Sequence, residues 1–179
     1  LKRVDCNDEP EDAGRAEGYG WSRLVVEVNP AFHYAIKVEG YEGQGGNLVL
    51  SAALAVPPAN DDLADAQVIA EPGFQGSVST RLATDEPGEA VAPCAPFPGR
   101  GVWYRYTPGE TGPYQIDTRG SRFDTVLSVW LGQAHPLSAV ACNDDASGDV
   151  PWSRLRLELD AGTTYAFKVE GYDGRWGYA

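Results

Sequence analysis

Oxygen-bearing side chains are concentrated in one stretch of this sequence, residues 143–149, which contains Asn143, Asp144 and Asp145. Carboxylates that stand side by side repel one another, and a hard cation such as calcium relieves that repulsion by taking oxygen ligands. The stretch begins with the spacing of an EF-hand loop, but Arg154 occupies the twelfth position, where that motif needs a bidentate Glu. A calcium site here would therefore need ligands from elsewhere in the chain.

Three more carboxylates are candidates for such ligands. Asp124 precedes a predicted strand whose neighbour could end near Asn143, and Asp61 and Asp62 could lie close as well. The predicted calcium ligands are Asp124, Asn143, Asp144, Asp145, Asp61 and Asp62. Asn and Asp also bond to backbone amides in ordinary turns, so the sequence leaves turn chemistry open as the alternative.

The sequence contains three cysteines, Cys6, Cys94 and Cys142. It has no CxxC motif and no paired histidines, which disfavours a zinc site. In an exported chain we expect a disulfide between Cys94 and Cys142, and two buried free thiols are the alternative.

Tryptophans offer a different chemistry, since their rings stack on sugars or on peptide side chains. Strand alternation predicts that Trp103 and Trp130 face outward, and Trp176 is a further candidate for ligand contact. Trp152, in contrast, repeats an earlier Trp21, which favours a shared packing role.

Catalytic chemistry has little support in the sequence. The only histidines are His33 and His135, and no Glu stands in an apolar setting that would raise its pKa. Lys168 and Glu170 are expected on the solvent side of their strand. We therefore expect a protein that is not an enzyme.

The net charge is -12, from 26 acidic and 14 basic residues. This surplus repels nucleic acid and suits divalent cations or basic partners, and an acidic surface that keeps the protein soluble is the alternative. No apolar run is long enough to span a membrane.

An internal repeat organises the chain. Residues 21–43 and 152–174 share 13 of 23 residues, always 131 positions apart. A period of that length fits a whole domain rather than a solenoid unit. We expect the C-terminal part of a first domain over 1–56 and a second domain, lacking its final strand, over 57–179. Residues 47–55 could supply that strand.

The elements that must position these residues are short strands, because 21 glycines and 13 prolines punctuate the chain. Residues 154–159 and 165–171 alternate apolar and polar side chains, and residues 160–163 are expected to join them as a hairpin. Further strands are predicted at 74–80, 101–107, 113–118, 125–131 and 137–142. The predicted fold is an all-β, antiparallel β-sandwich, jelly-roll-like, with about eight strands per complete copy.

Four segments resemble a known family in their order and spacing. They are Val-Trp-Tyr-Arg-Tyr-Thr at 102–107, Phe-Asp-Thr-Val-Leu-Ser-Val at 123–129, Ala-Cys-Asn-Asp-Asp at 141–145 and Ala-Gly-Thr-Thr-Tyr at 161–165. The chain resembles tandem copies of the bacterial pre-peptidase C-terminal domain family.

The resemblance implies a non-catalytic β-sandwich appended to a secreted or cell-surface protein such as an exported protease. Such a module is expected to aid secretion, anchoring or substrate engagement, with calcium as a candidate cofactor. An extracellular protein or polysaccharide is the expected partner, and further domains of a host protein are expected to be covalently attached. The alternatives are a carbohydrate-binding module and a pure structural spacer.

Overall fold

The computed structural model describes residues 5–7, 22–26, 28–95, 97, 99–148 and 150–174. The chain divides into two compact units, Leu1–Ala55 and Val56–Ala179. That division lies one residue from the predicted domain boundary. The assignment of both units to one domain family remains a prediction.

The described residues of the second unit form seven short strands, and the predicted all-β fold is confirmed. The strands are β1 (Gln67–Ile69), β2 (Gly101–Tyr106), β3 (Gly112–Asp117), β4 (Thr125–Leu131), β5 (Ser138–Asn143), β6 (Arg154–Leu159) and β7 (Tyr165–Gly171). Helical structure in the described residues is limited to 3-10 turns at Tyr41–Gly43, Leu63–Asp65 and Tyr172–Gly174. None of these turns is long and apolar enough to cross a membrane.

The strands form two sheets of unequal size. The larger has the order β1-β2-β7-β4-β5, and the smaller pairs β3 with β6. All pairings are antiparallel except the parallel contact of β1 with β2. The described strands thus number seven, where about eight were predicted, and they are divided five and two between the sheets.

One hydrophobic core joins the two sheets. Along β7 the side chains of Tyr165, Phe167 and Val169 enter this core, as their alternation predicts. Leu159 of β6 is fully buried in the same core, and Leu155 packs against it. The predicted inward faces of β6 and β7 are therefore confirmed.

Two predicted local features are wrong. Residues 74–80 form no strand. Residues 160–163 do turn, with the Thr163 amide donating to the Asp160 carbonyl at 3.2 Å, but β6 and β7 do not pair as a hairpin. Both edges of β7 are already occupied by β2 and β4, so β6 crosses to the other sheet and pairs with β3.

The second face of the large sheet is also buried. Trp103 and Trp130 are only 0% and 4% exposed, so the prediction that they face outward is wrong. They pack with Leu63 and Ala66, which belong to the irregular segment before β1. The amide of Trp103 also donates to the Asn60 carbonyl at 2.8 Å. An irregular segment, rather than solvent, covers this face.

The first unit has a different character. Residues 22–26 and 28–50 contain no strand, and residues 47–55 form none either. The hypothesis that 47–55 supplies a final strand is therefore not supported. Local conformation is nevertheless repeated, because Glu42 and Asp173 occupy equivalent turns with positive φ of 50° and 53°.

Candidate functional site

Asp61, a predicted calcium ligand, is buried and fastens one loop to another. Its carboxylate accepts hydrogen bonds from the Thr84 amide at 2.9 Å and from the Thr84 hydroxyl at 2.7 Å. Glu86, two residues further on, accepts a hydrogen bond from the Leu63 amide at 2.8 Å. Both carboxylates thus tie residues 84–86 to the segment that covers the second face of the large sheet.

Asp62 is exposed beside these groups. Desolvation of its carboxyl by neighbouring atoms raises the pKa of this group, and the negative charges of Glu86, Asp61 and Asp65 raise it further. The environment of Asp62 is therefore electronegative, which is an attractive setting for a cation.

The loop after β5 is held together by the side chain of Asn143. Its Oδ1 accepts the Arg154 amide at 2.8 Å, and its Nδ2 donates to the Asp145 carbonyl at 2.8 Å. The backbone carbonyl of Asp144 accepts a hydrogen bond from the Ser153 hydroxyl at 3.2 Å. These contacts are the turn chemistry that the sequence left open as the alternative to calcium binding.

Asp124 stands where the sequence predicted, immediately before β4. β5 is the neighbour of β4, and its last residue, Asn143, lies opposite Leu127. The expected adjacency of the two strands is confirmed. The carbonyl of Asp124 also accepts the Tyr172 amide at 3.0 Å.

The six predicted ligands are not assembled into one ion-binding cluster. Within the described ranges, no group of three or more His, Cys, Asp or Glu side chains is arranged to hold a metal ion. Asp61 bonds to Thr84, whereas Asn143 bonds to the loop and to the start of β6. The site is divided because these residues serve two different loops.

The predicted disulfide between Cys94 and Cys142 is confirmed. Their Cα atoms are 5.8 Å apart, and the Cys94 amide donates to the Cys142 sulfur at 3.3 Å. The bond ties the irregular segment before β2 to strand β5. Cys6 is exposed and has a free thiol.

Trp152 has the packing role that its repetition favoured. The guanidinium carbons of Arg119 and Arg154 lie 4.9 Å and 4.5 Å from the centre of its ring. Such contacts stabilise by cation–π attraction. Trp176, the remaining candidate for ligand contact, lies outside the described residues.

A buried ionic cluster of Glu89, Lys168 and Glu170 is the largest departure from the sequence-based expectation. Lys168 Nζ lies 3.0 Å from Glu89 Oε1 and also forms an ion pair with Glu170. It donates to the Gly99 carbonyl at 3.3 Å as well. All three charged side chains are buried, so the prediction that Lys168 and Glu170 face solvent is wrong.

The register of the large sheet explains this burial. Trp103 on β2 lies directly opposite Lys168 on β7, and its indole nitrogen donates to Glu89 at 3.3 Å. Gly101 permits the close approach, since a Cβ there would lie 2.7 Å from the Lys168 side chain. The charged side chains therefore share their face with tryptophan rings rather than with water.

Burial and mutual attraction set the pKa values of the charged groups in the ionic cluster. Burial by itself lowers the pKa of Lys168, but attraction to Glu170 and then to Glu89 outweighs this and holds the pKa above its ordinary value. Burial raises the pKa of Glu170, which Lys168 opposes only in part. Lys168 thus compensates only one of the two buried carboxylates when all three groups are ionised. The contacts of the ionic cluster join the irregular segment before β2, which contains Glu89, to strand β7.

His135 contributes to the same layer. Its Nε2 lies 2.9 Å from Glu86 Oε1, and its ring meets the Trp103 ring edge-on at 5.8 Å. No local pattern links His135 with Glu86, because 49 positions separate them. The contact between Glu86 and His135 thus joins the irregular segment before β2 to the loop after β4.

No protein-family model matches the chain, and no curated protein is significantly similar to it. The resemblance based on four short segments therefore stays a prediction.

Proposed function

We propose that this chain is a non-catalytic accessory module of an exported bacterial protein, which aids secretion, anchoring or engagement of a protein substrate. The proposal rests on one observation: the charged side chains that are buried in the second unit are engaged in contacts within the protein. Lys168 forms ion pairs with Glu89 and with Glu170 inside the second unit. Asp61 is likewise occupied in fastening a loop.

Two further observations support the proposal. The Cys94–Cys142 disulfide suits an oxidising compartment, in which such bonds persist. The family-like segments 102–107, 123–129 and 161–165 fall on β2, on the entrance to β4 and on the turn into β7. β2, β7 and β4 are the three central strands of the large sheet. This position favours a structural role for the segments over a catalytic one.

The choice of partner is open to a direct test. Because the net charge is -12, we expect the full chain to co-sediment with an insoluble protein that has basic surfaces, such as collagen fibrils, and to be released by salt. Cellulose and chitin should leave the chain in the supernatant. Binding to a polysaccharide alone would favour the carbohydrate-binding alternative, and binding to neither material would favour the spacer.

We propose in addition that the folded module binds a structural calcium ion. Asp124 immediately precedes β4, Asn143 ends the neighbouring strand β5, and Asp144 follows Asn143 in the chain. Calcium at about 100 times its dissociation constant would then stabilise the folded chain by roughly 2.7 kcal/mol. We expect a higher melting temperature in calcium than in EGTA, measured by calorimetry on the full chain.

Matched variants identify the ligands in that experiment. Asp124→Ala and Asp144→Ala should remove the response to calcium. Asp160→Ala, which changes an exposed carboxylate in the turn before β7, should retain it. If the melt of the unaltered chain is the same in calcium and in EGTA, the carboxylates serve turn chemistry alone.

A further inference from the structure

The first unit exposes a row of apolar side chains. Six of them alternate along residues 24–38, and each is between 41% and 68% exposed. They are Leu24, Val26, Val28, Tyr34, Ile36 and Val38. Exposed single apolar residues are common, but a row with strand periodicity is typical of a surface that another element covers.

The internal repeat shows what covers the equivalent row in the second unit. The residues 131 positions further on are all part of the hydrophobic core or packed against it. They are Leu155, Leu157, Leu159, Tyr165, Phe167 and Val169. The same pattern of residues is thus exposed in one unit and covered in the other.

Strands β2, β3 and β4 supply much of the core around that row: Val102, Tyr104, Tyr106, Leu127 and Val129 are buried in it, and Tyr114 and Ile116 pack against it. β7 pairs with β2 on one side and with β4 on the other, and β6 pairs with β3. The 179 residues contain two versions of the segments that form β6 and β7 but only one version of β2, β3 and β4. That one version is already paired within the second unit.

Cys6 provides an independent observation. Residues 1–8 align with residues 137–144, so that Leu1, Val4 and Cys6 match Leu137, Val140 and Cys142. Cys142 is bonded to Cys94 in the irregular segment before β2, whereas Cys6 is exposed and free. In the second unit, the partner of the equivalent cysteine and the strands that complete the core come from one part of the repeat, residues 57–136. That part occurs only once in the 179 residues.

We propose that residues 22–40 are a docking surface for a further copy of strands β2, β3 and β4, and that Cys6 forms a disulfide with the cysteine equivalent to Cys94 in that copy. The oxidant is a disulfide such as oxidised glutathione. The two protein thiols lose two electrons and two protons, and the glutathione disulfide is reduced to two thiols.

The docking surface is partly preformed. Lys37 and Glu39 form an exposed ion pair that corresponds to Lys168 and Glu170 of the buried ionic cluster. The turn at Tyr41–Gly43 also has the backbone conformation of its counterpart. Docking would then bury an existing arrangement rather than create one.

A fusion protein tests the proposal while keeping the full chain. A copy of residues 57–136 is placed directly before Leu1, so that the added strands precede the segment 1–8 in the register of the second unit. After refolding in a glutathione redox buffer, thiol titration should fall from one free thiol per molecule to none. Disulfide mapping should join Cys6 to the added copy of Cys94.

Hydrogen exchange provides the second measurement. Amides of residues 23–38 should exchange at least about tenfold more slowly in the fusion protein than in the chain alone. A matched pair of variants separates docking from a general effect of the fusion. Val28→Arg, whose counterpart Leu159 is fully buried, should leave Cys6 free and residues 23–38 unprotected. Val25→Arg, whose counterpart is the exposed Arg156, should change neither result.

Two outcomes would overturn the proposal. One is a fusion protein in which β7 is protected but residues 23–38 still exchange as in the chain alone, with Cys6 free. The other is a chain that dimerises without the fusion and thereby protects residues 23–38, because a second copy of the present chain would then be the occupant.

Discussion

The Lys168→Met variant is expected to lose about 3–5 kcal/mol of unfolding free energy, because the substitution removes the only cation from a buried group of three charges. Glu89 and Glu170 would remain inside the protein with no counter-charge. Methionine fills a similar volume, so the loss reports the charge rather than a cavity. Urea unfolding of the full chain at neutral pH, followed by tryptophan fluorescence, measures it.

The internal repeat supplies a matched control for this variant. Lys37→Met makes the same change in the same local sequence, but the Lys37 side chain is 80% exposed and no measurable change in the unfolding midpoint is expected. Adding Glu170→Gln to Lys168→Met should recover part of the loss, because only one uncompensated carboxylate would then be buried. A Lys168→Met variant as stable as the unaltered chain would show that the ionic cluster does not hold the second face together.

The second large effect is expected from the disulfide. Cys94 and Cys142 are 48 positions apart, and a cross-link that closes a loop of this length stabilises by about 4 kcal/mol in the chain-entropy model. Cys94→Ser should lower the melting temperature accordingly, and a reducing agent should lower that of the unaltered chain by a similar amount. Calorimetric melting with and without the reductant measures both.

Cys6→Ser is the control for this experiment. Cys6 is exposed and free, so its replacement should leave both the melting temperature and the response to reductant unchanged. Equal melting temperatures for Cys94→Ser and Cys6→Ser would contradict a stabilising role of the cross-link.

The strands of the second unit could be predicted because their signals are local. β4 begins and ends at the residues that the sequence indicated, and the inward faces of β6 and β7 follow from simple alternation. The pairing of β6 with β3 could not be predicted in this way. It depends on which strands occupy the edges of β7, and that information is spread along the whole chain.

The burial of Lys168 and Glu170 also could not be predicted from local sequence. Alternation correctly separates the two faces of β7, but it assumes that a polar face meets water. Two later facts reverse that assumption: Trp103 lies opposite Lys168, and Leu63 packs over the same face. The only local hint was the presence of two tryptophans on strands that turned out to be neighbours of β7.

The candidate site was predicted in part. The cysteine pair could be named because few pairings were possible, and the place of Asp124 beside the strand that ends at Asn143 followed from strand order. Glu89 escaped notice because it lies in an irregular segment far from Lys168 in sequence. Asp61 was predicted as a calcium ligand, and in the structure its carboxylate accepts a hydrogen bond from Thr84 in another loop.

The exposed row of the first unit also bears on how this protein behaves in concentrated solution. Apolar residues with strand periodicity and free backbone edges are templates for self-association. The net charge of -12 opposes the approach of one molecule to another, but its range shrinks to about 8 Å at physiological ionic strength. We therefore expect self-association of the isolated chain to increase with salt concentration, with the exposed apolar side chains of residues 24–38 as the contact surface.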